Sequence, residues 1–155
     1  MSQPIYFEDI KPGDVTNFGP LTVERDEMIE FARKYDFQPF HLSDEAAART
    51  HFGGLVASGW QTVAFYMKML LIEAERQGWQ DASLGGIGID ELRWIRPVRP
   101  GDSLRGTAEV IETRPSRKRP EMGIVKSRVT MFNQRDEPVL TMIPITMMRT
   151  RASVA

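Results

Sequence analysis

The apolar residues of this chain change their spacing near its midpoint. Before it they recur at three- and four-residue steps; after it they gather in strand-length runs divided by turn residues. Val15 to Val23 comes first, with Phe18, Leu21 and Val23 around a Gly19–Pro20 break, and reads as an irregular edge strand. From Glu24 to Tyr35, Met28, Phe31, Ala32 and Tyr35 keep a helical period, and the acids are concentrated in the first turn, where the helix dipole favours them. Phe37–Gln38–Pro39–Phe40 is a turn or extended link, because Pro39 pushes Gln38 away from helical geometry. Ser43 then stands at the N-cap of a short helix over DEAAART, which Phe52–Gly53–Gly54 ends. Gly59 to Gln77 predicts a third and longer helix. Trp60, Val63, Ala64, Met67, Leu71 and Ala74 mark one side, and Phe65, Met69, Leu70 and Ile72 fill most of the other. A helix apolar nearly all round is expected to be enclosed. It turns polar only beyond Ile72, and Gly78 closes it.

The second half predicts four strands: Ile87 to Val98, Ser103 to Arg114, Gly123 to Asn133 and Pro138 to Arg149. They are rich in Val, Ile, Thr and Leu and are divided by Arg99–Pro100–Gly101–Asp102, Pro115 to Met122 and Gln134 to Glu137. Such short connections favour antiparallel hairpins. Residues 150–155 read as a frayed tail. The order is therefore edge strand, helix, short helix, long apolar helix, then an antiparallel meander. This is an α+β arrangement that resembles a hotdog fold, an antiparallel sheet wrapped round one long central helix.

Composition narrows what this scaffold does. At 155 residues the chain suits a single domain, with its core over about 5–149, and needs no disulfide or metal staple. It has no cysteine, which removes thiolate nucleophiles and Cys-based metal sites, and its two histidines, His41 and His51, make a His-rich metal site an unattractive expectation. A net charge of −1 argues against nucleic acid or a membrane surface as partner. The first residues show no basic segment followed by an apolar one, and the longest apolar run, Phe65 to Ile72, is broken by Lys68. The expectation is a soluble, cytoplasmic single domain.

The chemistry gathers in one stretch. Asp36 and His41 flank Pro39, which restrains the link between an acid and an imidazole. Downstream, Ala57–Ser58–Gly59 opens the long helix. Ser58 is a good N-cap, and Gly59 lets a ligand approach the backbone closely. The first amides of that helix lack internal partners and carry the positive end of its dipole, so a carbonyl oxygen gaining charge would be stabilised there. One such donor is worth about 10²–10³ in rate. An acid–base pair beside a helix N-terminus suits proton transfer next to a carbonyl.

This stretch resembles the MaoC-like dehydratases, the (R)-specific enoyl-CoA hydratase branch of the hotdog superfamily. Their loop pattern, roughly D-x-N-P-x-H followed by an acidic short helix and F-G-x-x-[IV]-A-H-G, is matched by Asp36, Pro39, His41, Asp44, Ala47, Phe52, Gly53, Val56, Ala57 and Gly59. A later P-V-x-x-G-D is matched by Pro97, Val98, Gly101 and Asp102. The resemblance covers essentially residues 5–149. It implies reversible syn addition of water to a trans-2-enoyl-CoA, giving the (R)-3-hydroxyacyl-CoA. Asp36 and His41 would activate the water and shuttle the proton, and the Gly59 amide would polarise the thioester carbonyl. It also implies an acyl-CoA or acyl carrier protein thioester as substrate, no metal or organic cofactor, and a homodimer or larger homo-oligomer. Two positions depart from the pattern, Gln38 for Asn and Ser58 for His. Both sit beside the site and join Gly59 and Arg96 as candidate substrate-binding residues.

Blander readings stand beside these. Asp36 could be a helix-terminating Asp and His41 a structural histidine. His51 is expected to be an exposed helix-end residue. The basic run Arg114, Arg117, Lys118 and Arg119 reads as a solvated hairpin loop before a phosphate site. The Met and aromatic positions of the long helix are core first, with acyl-pocket lining as a second role. The rivals to a hydratase are a hotdog thioesterase and a non-catalytic acyl-thioester-binding module. Against the thioesterase, no Asp or Glu lies between Gly59 and Ile72.

Overall fold

A computed structural model describes residues 3–154. Five strands form one antiparallel sheet: β1 (Val15–Thr22), β2 (Ser83–Trp94), β3 (Ser103–Pro115), β4 (Met122–Phe132) and β5 (Pro138–Arg149), in the order β1-β3-β4-β5-β2. The α+β architecture and the hotdog arrangement are thus as the pattern predicts, with β1 and β2 as the two edges. The Gly19–Pro20 break falls where the β1–β3 register shifts, between Phe18 and Leu21. β2 begins at Ser83, earlier than the predicted Ile87, and stops at Trp94 rather than Val98. Gly85 and Gly86 look like a turn in sequence. Pairing of Ser83 with Met148 and of Gly86 with Thr146 draws that segment into the sheet.

Three helices precede the meander. α1 (Arg25–Tyr35) buries Met28 and Ala32. Its last backbone bond runs from the Asp36 N–H to the Ala32 carbonyl at 2.9 Å, and at Asp36 the chain leaves helical geometry. A single 3₁₀ turn, Pro39–His41, carries the chain onward. α2 (Asp44–Ala48) starts as expected, with Ser43 Oγ accepting from the Ala46 N–H at 3.1 Å. α3 (Gly59–Gln77) stops at Gly78, whose φ of 85° is the left-handed closure that glycine adopts at least cost.

α3 is not enclosed all round. Thr62, Phe65, Tyr66 and Met69 face the core, where they meet Phe18 and Val23 near β1 and Leu104, Val129, Met131 and Met142 from the sheet. Trp60 at 61%, Met67, Leu71 and Ile72 at 62% stay exposed. The helix has two apolar faces, and this chain covers only one of them.

The loop after β2 locks the α2–α3 link in place. The Ala57 N–H donates to the Val98 carbonyl at 2.8 Å, and the Arg99 guanidinium donates to the Phe52 carbonyl at 2.6 Å. The buried Asp102 ties this loop together, accepting from the Arg99 N–H at 2.9 Å and from Gln134 Nε2 at 3.0 Å. The PGD turn is therefore a structural knot that fixes the segment leading into α3.

Candidate active site

Each side chain of the candidate site is held by a different piece of backbone. Asp36 sits where α1 ends, His41 closes the 3₁₀ turn, and Ser58 occupies the N-cap position of α3. The fold brings them together. His41 Nε2 lies 3.2 Å from Asp36 Oδ2, Ser58 Oγ donates to the same oxygen at 2.7 Å, and Gln38 Nε2 donates to Asp36 Oδ1 at 2.8 Å. His41 is buried, Ser58 is 0% exposed, and the Asp36 side chain keeps 15% of its surface open.

The imidazole is fixed from its far side. Nδ1 is 2.8 Å from the Val56 carbonyl. A carbonyl only accepts, so Nδ1 carries a proton and donates it there. Nε2 then faces the Asp36 carboxylate, and one proton is shared across that contact. The Phe40 ring packs edge-on against the imidazole at 4.5 Å.

Burial pushes the Asp36 carboxyl up, but the hydrogen bonds from Gln38 and Ser58 and the His41 charge outweigh it. The group is held below its ordinary value. The site therefore presents an ionised carboxylate and an imidazole nitrogen a hydrogen bond apart.

Ser58, His41 and Asp36 have the composition of a nucleophilic triad but not its wiring. In a triad the imidazole joins serine to carboxylate. Here the carboxylate joins serine to imidazole, and the hydroxyl is sealed from any substrate carbonyl.

One expectation about the head of α3 is corrected. Ser58 holds the N-cap position, yet its hydroxyl makes no bond to the helix amides, because it is spent on Asp36. The first amides keep their positive end uncapped by a side chain. Trp94 leaves no room for a side chain at Gly59. A Cβ there would stand 2.5 Å from Trp94 Cε2 and 2.6 Å from Nε1, and that indole N–H donates to the Gly59 carbonyl at 2.8 Å. Trp60 packs edge-on against Trp94 at 5.3 Å beside it. The Val56 carbonyl and Trp94 are the contributors that sequence patterns missed. Neither has a signal in spacing, since one acts through its backbone and the other arrives from β2.

Arg96 is not brought to this cluster: its Nε lies 3.2 Å from Glu137 Oε2. The basic run 114–119 lies at the other end of β3 from the loop that braces the site, and Arg119 pairs with Glu121 at 2.7 Å. His51 is exposed just beyond α2, as expected. Among the described residues no three His, Cys, Asp or Glu side chains converge as metal ligands, and no helix is long and apolar enough to cross a membrane.

Between α3 and the sheet a groove of about 650 Å³ runs along the helix, lined by Val63, Tyr66, Met67, Leu70 and Leu71 and faced by Ile89. Its walls are mostly apolar.

Comparison with known proteins agrees with this picture. The family model described as "MaoC like domain" matches residues 9–131. The uncharacterized protein YdeM of Bacillus subtilis is 32% identical over 127 residues, covering 82% of this chain and 86% of that protein. The 3-hydroxybutyryl-CoA dehydratase of Methylorubrum extorquens is 32% identical over 117 residues, covering 74% of this chain and 69% of the relative. The crystal structure of the MaoC-like dehydratase from Rhodospirillum rubrum superposes with a TM-score of 0.83 at 35% identity, covering 95% of this chain and 98% of that one. The matched residues take in both the Asp36–His41 loop and the long helix that loop abuts, and the chain belongs to the MaoC-like domain family.

Proposed function

We propose that this chain is a hydratase and dehydratase of acyl thioesters, adding water reversibly to a trans-2-enoyl-CoA to give the (R)-3-hydroxyacyl-CoA. The observation that carries this reading is the 3.2 Å contact between Asp36 Oδ2 and His41 Nε2, held next to the uncapped head of α3. The ionised Asp36 takes a proton from a water whose oxygen bonds to C3 of the enoyl group. Electron density moves through C2 onto the thioester oxygen, which the Gly59 amide and the helix dipole stabilise. His41 gives its Nε2 proton to C2 on the same face, so the addition is syn. Proton transfer from Asp36 to His41 across their contact restores the starting state. Atoms and charge balance without any other group. Dehydration runs the same steps backwards.

The groove along α3 has the volume and lining for an acyl chain. The exposed side of α3 and the open edge of β2 suit a second copy of this chain. Ile87 and Ile89 are exposed on β2, and the uncharged, glycine-rich first half of that strand, residues 83–89, is a template for pairing. A homodimer would cover both.

The test is to incubate the protein with trans-2-butenoyl-CoA and with longer and branched enoyl-CoAs. Loss of the enoyl-thioester absorbance without free thiol is the expected result. Thiol release would replace the reading with a thioesterase, and binding without turnover would replace it with a non-catalytic module.

A further inference from the structure

We infer that Ser58 and Gln38 are positioning residues that clamp Asp36 by its two oxygens, so that the proton shared with His41 rests on His41 Nε2. This rests on the assignment of Asp36 and His41 as the reacting pair.

Three observations lead there. First, the Ser58 hydroxyl has lost every other employment. It is fully buried, so it touches no substrate; it does not cap α3; and it is not directed at His41 as a nucleophile would be. What remains is a 2.7 Å bond to Asp36 Oδ2, a length typical of a donor on a charged acceptor. Second, Gln38 reaches the opposite oxygen at 2.8 Å, which fixes the plane of the carboxylate. Third, the Val56 carbonyl commits His41 Nδ1 to donating, so Nε2 is the only ring atom that exchanges a proton with Asp36. Two donors on the carboxylate favour its ionised form and leave that proton with the ring.

Among the described residues no other charge competes for Asp36. His41 is the charged group that acts on Asp36; Gln38 and Ser58 are neutral, and Asp44 on the neighbouring α2 is engaged by Arg25 and the Leu55 N–H. The two positions that depart from the family pattern, Gln38 and Ser58, thus serve one carboxylate between them.

The experiment uses the full chain and the variants Ser58→Ala, Ser58→Thr and Gln38→Ala. Carbon-detected NMR follows the Asp36 carboxyl as pH is varied, with no substrate present. Its midpoint is expected to move to higher pH in Ser58→Ala and in Gln38→Ala, and to return toward the parent value in Ser58→Thr, which keeps the hydroxyl. Steady-state kinetics on trans-2-butenoyl-CoA should show kcat lowered roughly 10- to 100-fold in Ser58→Ala, the span of a hydrogen bond to a charged group, with KM little changed. The acid limb of its pH profile should move upward in step with the carboxyl. An unmoved Asp36 midpoint in Ser58→Ala overturns the clamp. So does a raised KM with kcat intact, which would make the hydroxyl a substrate contact. Absence of hydration by the parent protein would instead defeat the proposed reaction, and the NMR arm would still judge the clamp. A folded Ser58→Thr guards against misreading a collapsed Ser58→Ala.

Discussion

Asp36 draws partners from three places in the chain, and only one of them is legible as a motif. Asp36 and His41 flank a proline, and that spacing ahead of Ala57–Ser58–Gly59 makes them a candidate acid–base pair. Ser58 joins them from 22 residues away and the Val56 carbonyl holds His41 from 15 away, so no periodicity announces either contact. That is why Ser58 reads as an N-cap in sequence and proves to be a ligand of the carboxylate. Asp36→Asn and His41→Ala should each lower kcat/KM by about 10²–10⁴, the usual span for a positioned acid or base, while the far-ultraviolet circular dichroism stays that of the parent. Full activity in either variant on enoyl-CoA would remove that residue from the reaction.

α3 shows what an element's sequence contains and what it omits. Its ends, Gly59 and Gln77, are readable from the glycines that bracket the apolar run. Its burial is not, because a helix with two apolar faces looks the same whether one or both are covered. The strand β2 repeats the lesson in reverse, since its glycines suggest a turn and only the partner strand β5 makes them part of a ladder. The junction of α3 and β2 yields a prediction of its own. Gly59→Ala should destabilise the protein by about 1–3 kcal/mol, because the new methyl displaces the Trp94 indole and its bond to the Gly59 carbonyl. The same change made in a Trp94→Ala background should cost distinctly less, a non-additivity expected of residues in contact. Urea unfolding of the four proteins measures it, and equal costs in both backgrounds would mean that Trp94 is not the constraint.

For the molecule as a whole, the sheet and its central helix are legible from the order of elements, whereas the surface they leave open is not. The open side of α3 and the bare β2 edge together predict a homodimer. Replacing Ile87 and Ile89 with lysine should shift the protein to a monomer in sedimentation, since charge on an edge strand opposes pairing. An unchanged sedimentation coefficient would put the interface elsewhere. Acid stability is a second property of the whole. Asp9, Asp36 and Asp44 are each held below the ordinary aspartate value of 3.8, so each binds protons less readily folded than unfolded. Their stabilising contribution is fully present above that value and is lost as pH falls through the lowered ones. The urea midpoint should therefore drop progressively below about pH 4, and Asp36→Asn should flatten part of that drop.

The central claim is that Asp36 and His41 add water to one face of an enoyl thioester. Its most direct test is the product formed from trans-2-butenoyl-CoA in D₂O, analysed by NMR for configuration and isotope position. The expected product is (R)-3-hydroxybutyryl-CoA carrying a single deuterium at C2, syn to the new hydroxyl, formed about 10²–10⁴ times more slowly by Asp36→Asn. Free CoA, the opposite configuration at C3, or the same labelled product formed by Asp36→Asn at the parent rate would contradict it.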